Sequence, residues 1–61
     1  MPFETAQVGD LVVPLYAAQA RVTAIEPYLG KFTDYFTHTV SYVYIGNGTK
    51  SCIAVKREVK P

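Results

Sequence analysis

Residues 35–55 decide the fold, and they read YFTHTVSYVYIGNGTKSCIAV. Apolar or aromatic residues alternate with Thr and Ser along much of the first half, a pattern typical of a β-strand with one buried face. Asn47 and Gly48 then supply the pair that best tolerates positive φ at both central positions of a type I′ turn. The alternation resumes after Thr49, so the sequence predicts a β-hairpin closed by a two-residue turn.

A two-residue turn at this point fixes which residues of the two strands face each other. The pairs predicted for the apolar face are Tyr44 with Ser51, Tyr42 with Ile53, Val40 with Val55, His38 with Arg57 and Phe36 with Val59. The pairs predicted for the opposite face are Ile45 with Lys50, Val43 with Cys52, Ser41 with Ala54, Thr39 with Lys56 and Thr37 with Glu58. A slip of one residue would place Lys56 and Glu58 against the core.

The rest of the chain also favours strands. Eight Val, six Thr and three Ile stand against three Leu, and β-branched residues fit a pleated surface better than a helical turn. A turn at Gly9 and Asp10 introduces a first strand over Leu11–Val13, which Pro14 ends or confines to a sheet edge. A second strand covers Ala20–Glu26, and residues 16–20 allow at most one short helical turn before it. We expect one all-β domain over residues 1–61, a small five-stranded antiparallel barrel, because closure removes exposed edges.

Length and composition exclude several classes of protein. A chain of 61 residues allows one small domain with a marginal core. The single cysteine excludes an internal disulfide and a cysteine-cluster zinc site. Residues 37–50 are too polar and too few to cross a membrane, and residues 1–5 contain a Glu and no basic residue, unlike a secretory signal. We therefore expect a soluble cytoplasmic protein with no membrane partner.

The first two predicted strands carry a resemblance to a known fold. Residues 8–13 read VGDLVV, and residues 20–25 read ARVTAI after a short loop. This succession is similar to the opening of SH3-like small β-barrels, a plan shared by KOW-type modules and by type II dihydrofolate reductase. The reductase resemblance implies an oligomer that transfers hydride in a shared central pore. Residues 51–54 (SCIA) lack the Gln and the Tyr of the reductase's pore stretch, which makes this enzyme the least favoured function.

No group of residues points to catalysis or to metal binding. His38 is the single histidine and its predicted neighbour is Arg57, so a structural role at the barrel rim is favoured over a general base. Cys52 is predicted to lie across from Val43, away from His38, as an unreactive and half-buried thiol. The carboxylates are scattered, and Asp10 is expected to brace its own turn. We expect no enzymatic activity, no cofactor and no metal.

Aromatic residues exceed what so small a core can absorb, at five Tyr and three Phe. The residues predicted to bind a protein partner or a second copy of the chain are Tyr28, Phe32, Tyr35, Val43 and Ile45. The first three cluster in or beside one loop, and the last two make the outward face of the hairpin unusually apolar. Two structural alternatives stay open: the loop aromatics could fold back over the barrel's end, and the segment around Phe3 could cover the hairpin. A protein-binding module of this size would suit an accessory protein of a phage or mobile element.

The charge distribution supports an alternative function. The net charge is +1, but the residues up to Ile45 carry −2 and those from Gly46 onward carry +3. Aromatic stacking beside basic residues is typical of modules that bind single-stranded nucleic acid or RNA. The residues predicted for this role are Tyr42, Tyr44, Lys50, Lys56, Arg57 and Lys60. Because few cations are available to neutralise phosphates, protein binding is the first hypothesis and nucleic-acid binding the second.

Overall fold

The computed structural model of the chain describes residues 2–16 and 18–57. The strands are β1 (Leu11–Leu15), β2 (Ala18–Pro27), β3 (His38–Tyr44) and β4 (Lys50–Val55). They form one antiparallel sheet in the order β1-β2-β3-β4, which curls into a half-barrel. The predicted all-β fold is confirmed. The predicted fifth strand is not found among the described residues, so within them the sheet stays open between β1 and β4.

A tight β-hairpin lies where the sequence allowed at most a short helical turn. Leu15 pairs with Ala18, so β1 passes into β2 through a tight turn at Tyr16, whose φ is 46°. Pro14 lies inside β1, and the register of β1 against β2 shifts between Val12 and Leu15. A proline removes a ladder donor and is tolerated on an edge strand; of the two alternatives for Pro14, the strand does not end there but lies at the sheet edge.

The turn between β3 and β4 is longer than the sequence predicted. Gly48 has a φ of 72° but Asn47 does not adopt positive φ, so this is not a type I′ turn. Instead, Gly48 N donates to Tyr44 O (2.9 Å) and Thr49 N donates to Asn47 Oδ1 (3.0 Å), which closes a four-residue loop over 45–48. The predicted pairs are therefore wrong by two residues, since Tyr42 faces Ser51 and not Ile53.

The two-residue shift leaves the sorting of the faces intact, because side chains alternate with a period of two. Val40 now faces Ile53, and His38 faces Val55 instead of Arg57. The predicted pairs of Phe36 with Val59 and of Thr37 with Glu58 involve residues 58–61, which lie outside the described residues.

A β-bulge in β2 keeps its apolar residues on the inner face. The register against β3 shifts by one between Val22 and Ala24, which makes Thr23 the extra residue. Val22 is buried and Ile25 packs against the core, although the two stand three positions apart. A regular strand would place residues at this spacing on opposite faces. Bulges also strengthen the local twist, which favours the curl of the sheet.

The inner face of the half-barrel carries the core. Its buried residues are Ala6, Val12, Ala20, Val22, Val40, Tyr42 and Val55. Val12, Val22 and Val40 come from three adjacent strands, and each is at most 1% exposed. Full burial of a valine contributes about 1.5–3 kcal/mol, so these three side chains together contribute about 5–9 kcal/mol.

The segment before β1 covers the inner face. The Phe3 ring packs against Tyr42 with centroids 5.4 Å apart, and Ala6 is fully buried. Arg57 Nη1 donates to Phe3 O at 2.7 Å, which ties the end of the hairpin to this segment. Because Tyr42 belongs to the core, the alternative in which Phe3 covers the outward face of the hairpin is wrong.

A tight turn leads from this segment into β1. Asp10 N donates to Gln7 O (3.0 Å), and Gly9, with a φ of 97°, occupies the third position, where a type II turn needs positive φ. The Asp10 carboxylate accepts a bond from Gln7 N at 2.8 Å. The turn predicted at this point, with Asp10 bracing it, is confirmed.

Candidate protein-interaction surface

Four aliphatic side chains lie on the outer face of the sheet, away from the core. Leu11 and Val13 belong to β1, Val43 belongs to β3 and Ile45 follows β3 directly; we call these four residues the outer patch. Leu11, Val13 and Ile45 are 41%, 54% and 54% exposed, and Val43 is half-buried. The solvated face of an antiparallel sheet is normally polar, so these residues give the molecule an unusual apolar surface.

The register of the sheet places cations in the middle and at the rim of the outer patch. Across successive strands one row of the outer face contains Leu11, Arg21, Val43 and Lys50. Neighbouring strands lie about 4.8 Å apart, so Leu11 and Val43 are separated by about 10 Å. Arg21 Nη1 donates to Gly9 O at 2.7 Å, which holds the guanidinium towards the N-terminal turn. Arg21 therefore lies between Leu11 and Val43, the β1 and β3 members of the outer patch, and Lys50 lies at its rim.

Two open depressions adjoin the outer patch. The first has a volume of about 520 Å³ and is lined by Thr23, Ser41, Tyr42, Val43, Lys50, Ser51 and Cys52. The second has a volume of about 390 Å³ and is lined by Ala18, Gln19, Tyr44, Ile45, Gly46 and Asn47. The depressions make this part of the outer face concave and not flat.

No cluster of three or more His, Cys, Asp or Glu side chains able to hold a metal occurs in the part of the chain that the structure describes.

A second exposed apolar group lies in the loop between β2 and β3. Phe32 and Tyr35 are both exposed, with ring centroids 6.5 Å apart, and Phe36 N donates to Phe32 O (3.0 Å) across one helical turn. Tyr28 is half-buried and packs on Phe36 at 5.3 Å. Its ring lies so close to Gly30 that a Cβ at that position would overlap it. Tyr28 therefore folds back onto the protein, whereas Phe32 and Tyr35 face solvent.

The structure separates the residues predicted to bind protein into two groups. Tyr28, Phe32 and Tyr35 precede β3, while Val43 and Ile45 lie at its other end. A strand of seven residues spans about 20 Å. The two groups are consequently distinct surfaces and not one aromatic site.

Leu11 and Val13 belong to the outer patch, but the sequence analysis did not predict them to bind protein. The signal was present in the sequence, because residues 11–13 are three consecutive apolar residues. A strand with one covered face needs apolar residues only at alternate positions. The additional apolar residues of such a run lie on the face that the protein itself leaves uncovered.

The residues predicted to bind nucleic acid are also dispersed. Tyr42 is 6% exposed within the core, so its ring offers no face for stacking on a base. Arg57 donates to Phe3 O, while Lys50 and Lys56 are exposed. Lys60 lies outside the described residues.

Tyr44 is half-buried, and its ring meets Tyr42 edge-on at 5.6 Å. Desolvation raises the pKa of the Tyr44 phenol above its usual 10.0, and the neighbouring Tyr42 hydroxyl adds to this effect. The Tyr44 ring therefore packs at the edge of the core.

His38 and Cys52 occupy places that differ in part from those predicted. His38 Nδ1 lies 2.8 Å from Thr37 Oγ1, which also accepts a bond from Arg57 N at 2.9 Å. The structural role predicted for His38 fits this network. Cys52 faces Ser41, not Val43, and it is exposed and not half-buried as predicted, since β4 is an edge strand.

Comparison with known proteins adds no relative. No family model, no curated protein and no solved structure matches the chain. None of the described residues belongs to a helix long and apolar enough to span a membrane. The functional proposal therefore rests on the geometry of the sheet.

Proposed function

We propose that the chain is a non-enzymatic interaction module of the SH3-like small-barrel kind, and that it binds a protein through the outer patch. The exposure of Leu11, Val13 and Ile45 on one face of a folded sheet carries this proposal. Several exposed apolar side chains on one face of a small domain are typical of a binding site. Phe32 and Tyr35 form a second, separate contact surface in the loop before β3.

The energetics suit a reversible contact. Complete burial of an aliphatic side chain contributes about 1.5–3 kcal/mol, so covering the exposed half of each residue adds about 1 kcal/mol. Arg21 lies between the β1 and β3 members of the outer patch and Lys50 lies at its rim, and complementary charge across an interface favours association. The partner expected here has apolar side chains together with acidic groups that meet these two cations.

The test compares two lysine substitutions of similar chemistry. Ile45→Lys places a cation in the outer patch, whereas Leu29→Lys changes a side chain that is 94% exposed in the loop before β3. Both variants should keep the far-UV circular dichroism of the parent chain. The parent chain and the two variants are immobilised and exposed to an extract of the cells in which the chain is naturally made. The proteins of the extract that each of them retains are then quantified.

We expect the parent chain and Leu29→Lys to retain the same partner, and Ile45→Lys to retain about tenfold less, because its ammonium group would be desolvated in the contact. Equal retention by Ile45→Lys and Leu29→Lys would contradict binding through the outer patch.

The nucleic-acid alternative is tested on the same proteins with labelled single-stranded DNA and RNA. Lys50 and Lys56 are the exposed cations among the described residues predicted for it. Binding to phosphates weakens steeply with salt. Affinity that falls with added salt and is lost in a Lys50→Gln, Lys56→Gln double variant would favour this alternative. The pore-forming reductase predicts hydride transfer to dihydrofolate, and we expect no turnover of that substrate.

A further inference from the structure

We propose that β4 pairs with β4 of a second copy of the chain, antiparallel and about a two-fold axis at Cys52, so that two half-barrels share one continuous sheet. The proposal concerns an edge of the sheet and does not require the outer patch to bind a partner. Its support comes from the hydrogen-bonding groups of the edge, the protection of the other edge, and the placement of charge.

The directions of the backbone groups show what the edge offers. In an antiparallel pair, residues whose backbone groups bond the neighbouring strand alternate with residues whose backbone groups point away from it. Tyr44 N donates to Thr49 O (2.9 Å), so these partners form a hydrogen-bonded pair. Because the β3–β4 register has no shift over its described pairs, Ser51 and Ile53 also direct their backbone groups at β3. The residues that direct N–H and C=O away from β3 are Lys50, Cys52 and Ala54. No strand among the described residues covers that side.

The two edges of the sheet differ in their protection against pairing. β1 contains Pro14 and an irregular register, two features that natural proteins use to block edge-to-edge contacts. β4 has the sequence KSCIAV, with no proline, and its pairing to β3 is regular. Its inner-face residue Ile53 is 41% exposed, since no strand follows it in the sheet. The edge at β4 is thus the one suited to accept a strand.

Charge and the length of β4 together select one register among the symmetric possibilities. The inner faces of the two copies lie on the same side of the joined sheet only when the two-fold axis is centred on a residue. Residues at equal distances before and after that residue then pair with each other across the two copies. An axis at Ile53 would set Lys50 against Lys56 of the second copy, and like charges directly opposite are destabilising. An axis at Ser51 would pair only residues 50–52 within both strands, and an axis at Ala54 only residues 53–55. An axis at Cys52 pairs residues 50–54 and sets Lys50 against Ala54 of the second copy.

This register uses every outward-directed backbone group of β4. The pairs of Cys52 with itself and of Lys50 with Ala54 provide about six hydrogen bonds. On the inner face, Ile53 of one copy lies beside Ser51 of the other. An interface made mainly of two short strands is smaller than a standard protein–protein interface, so the association should be weak and depend on concentration.

The main experiment measures mass by sedimentation equilibrium from about 10 μM to about 1 mM, a range suited to a small interface. The chain has a mass of 6.8 kDa, and we expect the average mass to rise towards twice this value. Ala54→Glu should tighten the dimer about two- to thirtyfold, because each glutamate lies opposite a lysine of the second copy and two such pairs form. Ala54→Lys should weaken it by a similar factor.

A matched control separates this contact from the outer patch. Ile45→Lys should leave the dimer unchanged, because Ile45 lies outside β4, whereas it should lower partner binding by the outer patch about tenfold. A constant mass of 6.8 kDa over the whole range, or equal affinities for Ala54→Glu and Ala54→Lys, would overturn the proposal. Loss of the dimer in Ile45→Lys would overturn it as well, since association would then run through the outer patch.

The register itself is tested by disulfide trapping under an added oxidant. Cα atoms of a hydrogen-bonded pair lie about 5.5 Å apart, within the range that a disulfide spans. Cys52 should therefore cross-link at least tenfold faster than the cysteine of a Cys52→Ser, Tyr35→Cys variant, whose thiol is exposed in the loop before β3. Equal rates for the two proteins would exclude an axis at Cys52.

Discussion

Replacing Val40 by alanine removes two methyl groups from the middle of β3, where the side chain is 0% exposed. Each buried methyl group contributes about 0.8 kcal/mol, and the cavity left behind adds to the cost. The expected loss in the free energy of unfolding is about 2–3 kcal/mol. The same replacement at Val13, which is 54% exposed in the outer patch, should cost less than about 1 kcal/mol because the side chain is already largely hydrated.

Urea unfolding followed by far-UV circular dichroism measures both losses. A loss of 1 kcal/mol lowers the Tm of a domain this small by about 4–8 °C, so Val40→Ala should melt about 10–20 °C below the parent chain. Val40→Asp should not fold, because it places a carboxylate in the core, whereas Lys56→Ala on the surface should fold normally. Equal losses for Val40→Ala and Val13→Ala would refute the assignment of the inner and outer faces.

Two further predictions concern the loop before β3 and the edge of the core. Gly30→Ala should cost about 1–3 kcal/mol in urea unfolding, because its Cβ would overlap the Tyr28 ring; Gly46→Ala, with no atom within 4 Å of its Cβ, should stay within about 0.5 kcal/mol of the parent chain, and similar costs would contradict the packing. In a spectrophotometric titration, Tyr44→Phe should remove a phenol whose pKa is above 10.0. Because the folded state favours the protonated phenol, the stabilisation linked to it is present at neutral pH and is lost as the pH rises through that pKa; a Tyr44→Phe protein with unchanged alkaline unfolding would contradict the raised pKa.

The sequence was sufficient for the parts of the fold that depend on local chemistry. Gly9 and Asp10 form the predicted turn, and Pro14 lies in an edge strand. The alternation along β3 and β4 predicted which side chains face the core, and a two-residue error in register did not change that result. Val40 and Val55 are both buried as expected. The face on which a side chain lies alternates from one residue to the next, so an error of two residues leaves it unchanged.

The sequence was insufficient where two local solutions compete or where distant segments meet. Asn47 suited a type I′ turn equally well, but its side chain instead accepts a bond from Thr49 N. The bulge at Thr23 depends on packing Val22 and Ile25 on one face, which no local signal specifies. Contacts of Phe3 depend on the completed sheet. The outer patch was predicted only in part, since the exposure of β1 follows from its position in the strand order.

The bond from Arg57 to the Phe3 carbonyl, between residues 54 positions apart, brings the first and the last described residues of the chain close together. Chains whose ends meet in this way tolerate circular permutation, in which the old ends are fused and new ones are opened in a surface loop. A short linker across this junction, with new ends between Gly46 and Asn47, would leave all four strands uninterrupted. In the permuted chain β4 would be the first strand and β3 the last, and the two would pair without a loop between them.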